Sequence, residues 1–336
     1  MTRVAESVPQ TPSRGLRTWL KIGFGVAVVI AAVAYVVREW NDFSSALTEM
    51  GLVPVLASLP LAFAACVTWM FAWRALLADL GHQLNVREAG RVFFASQLGK
   101  YLPGSVWTLV AQVELGREAR VPRATSFAVG VLALVLSLAV GIIVAVGLLP
   151  FGAGDALADF WWIGLAAPLM FVFLHPKVTV GLLNRVLRLA RRTPITTYPT
   201  WPGMLRATVW QTVGWLLMGL HCYALVLGFE GQEALRTLPL AVGGFALAFC
   251  VGVLFIPAPA GAGIREVALG LALATVLTQP QVAAVVLVSR VLLVAVDCAL
   301  AALWWAGRRP TGVTGAVPDE GEREVTVPVE PAGGEK

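Results

Sequence analysis

Histidine and cysteine are scarce in this chain and stand far apart. His82, His175 and His221 share no helical or ligand spacing, and Cys66, Cys222, Cys250 and Cys298 are scattered through oily segments. That distribution builds no metal centre, so we read no metal and no cofactor, and assign the cysteines to packing. Charge is scarce as well. Asp, Glu, Lys and Arg make up 13% of the 336 residues against 58% hydrophobic ones, and the mean hydropathy is +0.77. A water-soluble domain cannot cover its surface with so little polarity. No polar stretch between the apolar runs is long enough to form a separate soluble domain, and the net charge of +5 sits beside those runs rather than in one patch. The basic residues therefore read as membrane-flanking loops, with no nucleic-acid partner.

Apolar runs near the ~20 residues needed to cross hydrocarbon recur along the chain. A polar tail, Met1 to Arg17, precedes the first run, Leu20 to Val37, whose basic flank places the N-terminus in the cytoplasm as an uncleaved signal anchor. Trp40, Phe43, Leu47 and Met50 then form a helical stripe predicted to lie on the far surface. Leu52 to Leu77 returns to Arg74, with Trp69 and Trp73 expected at the interface, and Phe127 to Leu148 crosses again to a loop holding Asp155 and Asp159. Trp161 to Leu174 comes back in, short for a span. Lys177, Arg185, Arg188, Arg191 and Arg192 alternate with leucines beyond it, which predicts a helix along the inner, anionic surface. Leu205 to Phe229 leads out to Glu230 and Glu233, and Val282 to Trp305 is the last span, stopped by Arg308 and Arg309. Trp161, Trp162, Trp304 and Trp305 read as interface anchors. Residues 307–336, rich in Pro, Gly and Glu, form an acidic cytoplasmic tail with no core.

Two segments break this pattern: "SQLGKYLPGSVWTLVAQVELGREAR", Ser96 to Arg120, and "FIPAPAGAGIRE", Phe255 to Glu266. Pro103 and Gly104 interrupt one; Pro257, Pro259, Gly261 and Gly263 interrupt the other. Residues of these types end a helix, so each segment is predicted to run helix, break, helix. Backbone freed at a break cannot face lipid and must be sheltered by protein or line a wet cavity, so a cavity is expected at both. The order span, span, broken hairpin, span occurs twice, over about 18–148 and about 160–306, with one hairpin entering from each side. The fold expected is therefore all-α and polytopic: six full spans plus two re-entrant hairpins, arranged as an inverted repeat, in the plasma membrane with both termini cytoplasmic. Leu238 to Ile256 is itself long enough to cross, which would raise the count to eight.

"SQLGKYLPGSVW" together with "PAPAGAGIREVAL" resembles the lysylphosphatidylglycerol synthase transmembrane region, a flippase-like family, over about Leu20 to Trp305. The resemblance implies movement of a lipid headgroup between leaflets, an anionic phospholipid or a polyprenyl-linked substrate. It points to Lys100, Tyr101, Pro103, Gly104 and Trp107, and to Pro257, Pro259, Gly261, Gly263, Arg265 and Glu266. Members that make lysyl lipids carry a soluble aminoacyl-transfer domain, and only the short acidic tail stands in its place here. Synthesis is therefore not expected of this chain; a separate lipid-modifying enzyme would be its partner.

Lys100 either binds a lipid phosphate or snorkels to the surface over Tyr101. Glu114 has Lys100 and Arg117 as candidate partners, and the i, i+3 spacing favours Arg117. Arg265 and Glu266 are sequence neighbours and need separate partners. Arg290 and Asp297, seven residues apart on the last span, are each candidates to meet one of them. Gln97, Gln112 and Gln211 serve either a cavity or interhelical hydrogen bonds. Two other classes of function stay open. One is an enzyme or enzyme subunit on lipid-linked sugars with Glu114, Glu266 or Asp297 as acid or base, although no nucleophile and base stand at motif spacing. The other is a scaffold that recruits through the arginine segment and the tail.

Overall fold

The computed structural model describes residues 40–102, 106–153, 166–189, 198–229, 231, 233–255 and 261–306. The predicted first span Leu20–Val37, both polar tails, and Pro103, Gly104, Asp155, Asp159, Trp161, Trp162, Arg191, Arg192, Glu230, Pro257 and Pro259 lie outside the described residues.

Eleven α-helices and no strand occur among the described residues. Helix α1, Trp40–Met50, turns Phe43, Ala46 and Met50 inward, as its apolar stripe predicts, and leaves Trp40 exposed. Five helices are long and apolar enough to cross a membrane: α2 (Leu52–Asp79), α5 (Arg123–Ala153), α8 (Trp201–Val226), α9 (Ala234–Leu254) and α11 (Gln279–Ala306). Four of these occupy expected spans. The fifth, α9, takes the alternative left open for the second broken segment: its 21 residues rise about 31 Å, and the break follows the helix instead of dividing it. Of the short span expected over Trp161–Leu174, the structure describes α6, Ala166–Phe173, which stops at a turn before α7, Pro176–Leu189. On α7 the basic residues Lys177, Arg185 and Arg188 are exposed while Thr179, Val180 and Asn184 are buried.

Between α2 and α5 the chain forms α3 (Val86–Gln97), a 3-10 turn (Leu98–Tyr101) and α4 (Trp107–Glu118). Asn85 starts α3 because its Oδ1 accepts the Glu88 N–H at 2.9 Å while Glu88 reaches back to the Asn85 N–H at 3.4 Å. Each helix of 12 residues rises only about 18 Å, short of the hydrocarbon thickness. The second broken segment resumes at α10, Ile264–Leu273.

The helix contacts repeat when the two halves of the chain are exchanged. α3 packs on α11 as α9 packs on α5, α2 touches α11 as α8 touches α5, and the amphipathic α1 lies on α11 as α7 lies on α5. The broadest contact, α2 against α8, maps onto itself. At one end of that contact Asp79 accepts hydrogen bonds from the Thr200 N–H (2.5 Å) and hydroxyl (2.7 Å).

Tryptophan placement departs from expectation. Trp73 is 1% exposed, and Trp69 packs edge-on against Trp215 (5.2 Å between centroids) and against Phe249 (5.8 Å). Trp69 fills the space between α2, α8 and α9, and Trp73 meets Phe93 of α3 at 6.0 Å, so both rings pack inside the bundle instead of anchoring a lipid interface. Trp304 similarly lies over Phe94 at 4.9 Å, in the space that a side chain on Gly90 would occupy. Trp305 is exposed.

Candidate functional site

Charged side chains gather at the middle of α11. Asp297, 5% exposed at its side chain, accepts a hydrogen bond from the Tyr101 hydroxyl at 2.5 Å and an ion pair from Lys100 Nζ at 2.7 Å. Two donors on one buried carboxylate are what such a charge requires in an apolar surrounding. They come from the 3-10 turn just before the first break, and Gly99 allows the fold-back: a Cβ there would lie 2.7 Å from the Thr108 nitrogen. Two turns away, about 10 Å along the helix axis, Arg290 pairs with Glu266 at 3.4 Å.

Glu266 has a second task. Its other oxygen accepts the Gly263 N–H at 2.6 Å, so one carboxylate both starts α10 and meets α11. The chain enters α10 through Gly261 (φ 68°) and Gly263 (φ 86°), left-handed positions that favour glycine. Gly261 also lies against Gly252 of α9, where a Cβ would stand 2.8 Å from its Cα. Replacing Gly261 with Ala therefore combines a backbone cost of about 1–2 kcal/mol with overpacking of about 1–3 kcal/mol. The expected result is a clearly lower unfolding midpoint in detergent, with the larger loss at the Gly261 side because Gly252 is an ordinary helical residue.

Arg265 points elsewhere, as the adjacency with Glu266 predicts. Its guanidinium lies 4.7 Å from the centroid of Phe245 and 5.2 Å from that of Phe249, two rings four residues apart on α9. Among the described residues it forms no ion pair. Among the described residues the centre thus holds three cations, Lys100, Arg265 and Arg290, against two carboxylates, Asp297 and Glu266.

The sequence-predicted residues do not all converge here. Arg290 meets Glu266 as proposed, but Asp297 meets Lys100 and Tyr101 in place of Arg265 or Glu266, because the 3-10 turn reaches α11 first. Glu114 is about half exposed and pairs with Arg117 (3.3 Å) and Arg123 (3.2 Å), away from Lys100. Trp107 is exposed, at the start of α4. Gln211 hydrogen-bonds the Ser137 hydroxyl of α5 at 2.8 Å, the interhelical role, and Gln112 is buried beside Gly130. Cys66, Cys222 and Cys250 are buried and Cys298 is exposed.

Pro103, Gly104, Pro257 and Pro259, where the cavities are expected, lie outside the described residues. The space bounded by Arg265, Glu266, Leu269, Val286, Ser289 and Arg290 measures about 10 Å³, room for about one water and for no headgroup. A larger open groove of about 560 Å³ lies at His175, Lys177, Tyr198 and Trp201, sharing no lining residue with the ionic centre.

Sequence reasoning missed Phe245 and Phe249, although their i, i+4 spacing on an apolar helix marks one face able to receive a cation. It also passed over His221 and Ser289, which carry no motif. Among curated proteins, none matches the chain. A family model for the lysylphosphatidylglycerol synthase TM region matches residues 22–301. That match covers most of the chain, including both broken segments and the ionic centre on α11, and the chain belongs to this family.

Proposed function

We propose that this multi-pass protein moves an anionic phospholipid or lipid-linked anion between leaflets, with the two broken segments and α11 forming the path. The observation that carries the reading is that the 3-10 turn before one break and α10 after the other bring their charges to mid-α11, with one more cation than carboxylate among the described residues. Ionisable groups inside a membrane bundle are costly to keep and mark ion or substrate pathways. A phosphodiester would offset the surplus charge, and Arg265, held by rings instead of an acid, is the group with donors to offer. The exchangeable pattern of helix contacts supports a duplicated unit, and we read the two halves as inverted, with lysine- and arginine-rich ends toward the cytoplasm.

The closed cavity favours a second reading, in which the ion pairs are architecture alone. Carriage of a headgroup needs a second conformation in which the Glu266–Arg290 or Lys100–Asp297 contact opens. Protein in phosphatidylcholine vesicles, carrying a trace of fluorescent phosphatidylglycerol or fluorescent phosphatidylcholine, separates the two. Both headgroups carry the phosphodiester, but the choline ammonium returns a positive charge to a centre with surplus cation; if that costs one charge-assisted contact, about 1.5–3 kcal/mol, the anionic label should change leaflets about tenfold faster or more. Rates equal to those of protein-free vesicles for both labels would remove the carrier reading and leave architecture.

A further inference from the structure

His221 stands within α8, 0% exposed, where an apolar residue would satisfy a spanning helix. Its Nδ1 lies 3.1 Å from the Ser58 carbonyl oxygen of α2. A carbonyl only accepts, so Nδ1 carries the proton and Nε2, 3.1 Å from the Ser289 hydroxyl of α11, accepts. The neutral ring is fully satisfied and ties three helices together.

Two connections run from this ring to the ionic centre. Ser289 lines the one-water cavity together with Arg265, Glu266 and Arg290. Phe245 stands between cation and imidazole: its ring meets His221 edge-on at 6.3 Å and Arg265 at 4.7 Å. The elements packed around α8 bring little other charge. α2 is charged only at Arg74 and Asp79, α5 only at Arg123, α9 only at Arg236, and α8 itself only at Arg206, while α11 contributes Arg290 and Asp297. α10 contributes Arg265 and Glu266, which share the small cavity with Ser289.

We propose that His221 is a proton-binding site coupled to anion occupancy of the ionic centre, so that an anionic headgroup and a proton are taken up together. The inference rests on the reading of that centre as a headgroup site. A proton arriving by way of the cavity and Ser289 binds Nε2; the Ser289 hydroxyl then turns to accept from Nε2–H, and no other bond changes. The imidazolium adds a second surplus positive charge to a centre that already has one. A bound monoanion offsets that charge, and by reciprocity the proton strengthens anion binding as much as the anion strengthens proton binding. A proton gradient would then act on the distribution of the anion.

The test is calorimetric titration of the full-length protein in detergent with short-chain phosphatidylglycerol, in two buffers of different ionisation enthalpy. Wild-type protein should take up about one proton per lipid bound at some pH between about 5 and 8, with affinity weakening by up to about tenfold per pH unit as pH rises. His221→Gln should bind lipid with no proton uptake and a flat pH profile. Ser289→Ala keeps the imidazole but leaves the imidazolium's Nε2–H without its acceptor, and because that charge-assisted bond is stronger than the one the neutral ring loses, its profile should move to lower pH. Lipid binding by the wild type without proton uptake overturns the proton site alone, as does full uptake by His221→Gln or an unmoved Ser289→Ala profile. Absence of binding by the wild type overturns the headgroup site and the coupling together.

Discussion

Lys100→Met should destabilise the protein more than Asp297→Leu does, and the double variant should recover most of the loss. The asymmetry follows from burial. Asp297 is 5% exposed at its side chain and Lys100 31%, so removing the lysine strands a carboxylate that has only the Tyr101 hydroxyl left. Removing the aspartate leaves an ammonium that still reaches polar surroundings. Leaving one member of a buried pair alone costs about 3–5 kcal/mol, whereas replacing both with apolar residues is often neutral or better. Chemical unfolding of single and double variants in mixed micelles measures the coupling directly. Equal losses for the two single variants, or additive losses in the double, would show that the short contact contributes little. The double variant also divides the two readings of the centre. If it is stable and still exchanges labelled lipid at the wild-type rate, the pair only holds the 3-10 turn in place; if it is stable and inactive, the charges themselves serve transport.

The second large effect is expected at Arg265. Arg265→Gln removes a cation that rests on Phe245 and Phe249 without an acidic partner among the described residues, so no stranded carboxylate results. The stability loss should stay near the ~0.5–2 kcal/mol of a cation–ring contact. The functional loss should be larger. A charge-assisted headgroup contact of about 1.5–3 kcal/mol corresponds to roughly ten- to a hundredfold slower exchange of anionic lipid between leaflets. Quenching of a fluorescent anionic lipid as it reaches the outer leaflet reads this rate, and the phosphatidylcholine label serves as control. A variant with native stability and an undiminished anionic rate would take Arg265 out of the path.

Much of the architecture is legible in the chain because hydropathy and proline report directly on membrane solvation. The limits of α2, α8 and α11 fall within a few residues of the apolar runs, and described helices stop before and resume after both Pro/Gly clusters. The Glu114–Arg117 contact follows from i, i+3 spacing, and the Arg290–Glu266 contact from the cost of a lone charge in a span. What the chain conceals is depth and direction. Leu238 to Ile256 reads equally as half a hairpin or as a full crossing, and the structure shows there one unbroken helix, α9, long enough to cross and packed along α5 and α8. Trp69 and Trp73 match an interface belt in composition, yet their rings point into the bundle, and no periodicity separates those cases in a helix that is apolar all round.

The contact between α2 and α8 has a further mechanical meaning. Because trading the two halves of the chain carries this pair onto itself, a rocking motion that swaps their arrangements leaves the pair where it is. With Trp69 wedged against Trp215 at mid-length and Asp79 clasping Thr200 at one end, the two helices would form a pivot if the protein carries lipid as proposed. The broken segments and α11 would swing about it as a lever does about its fulcrum.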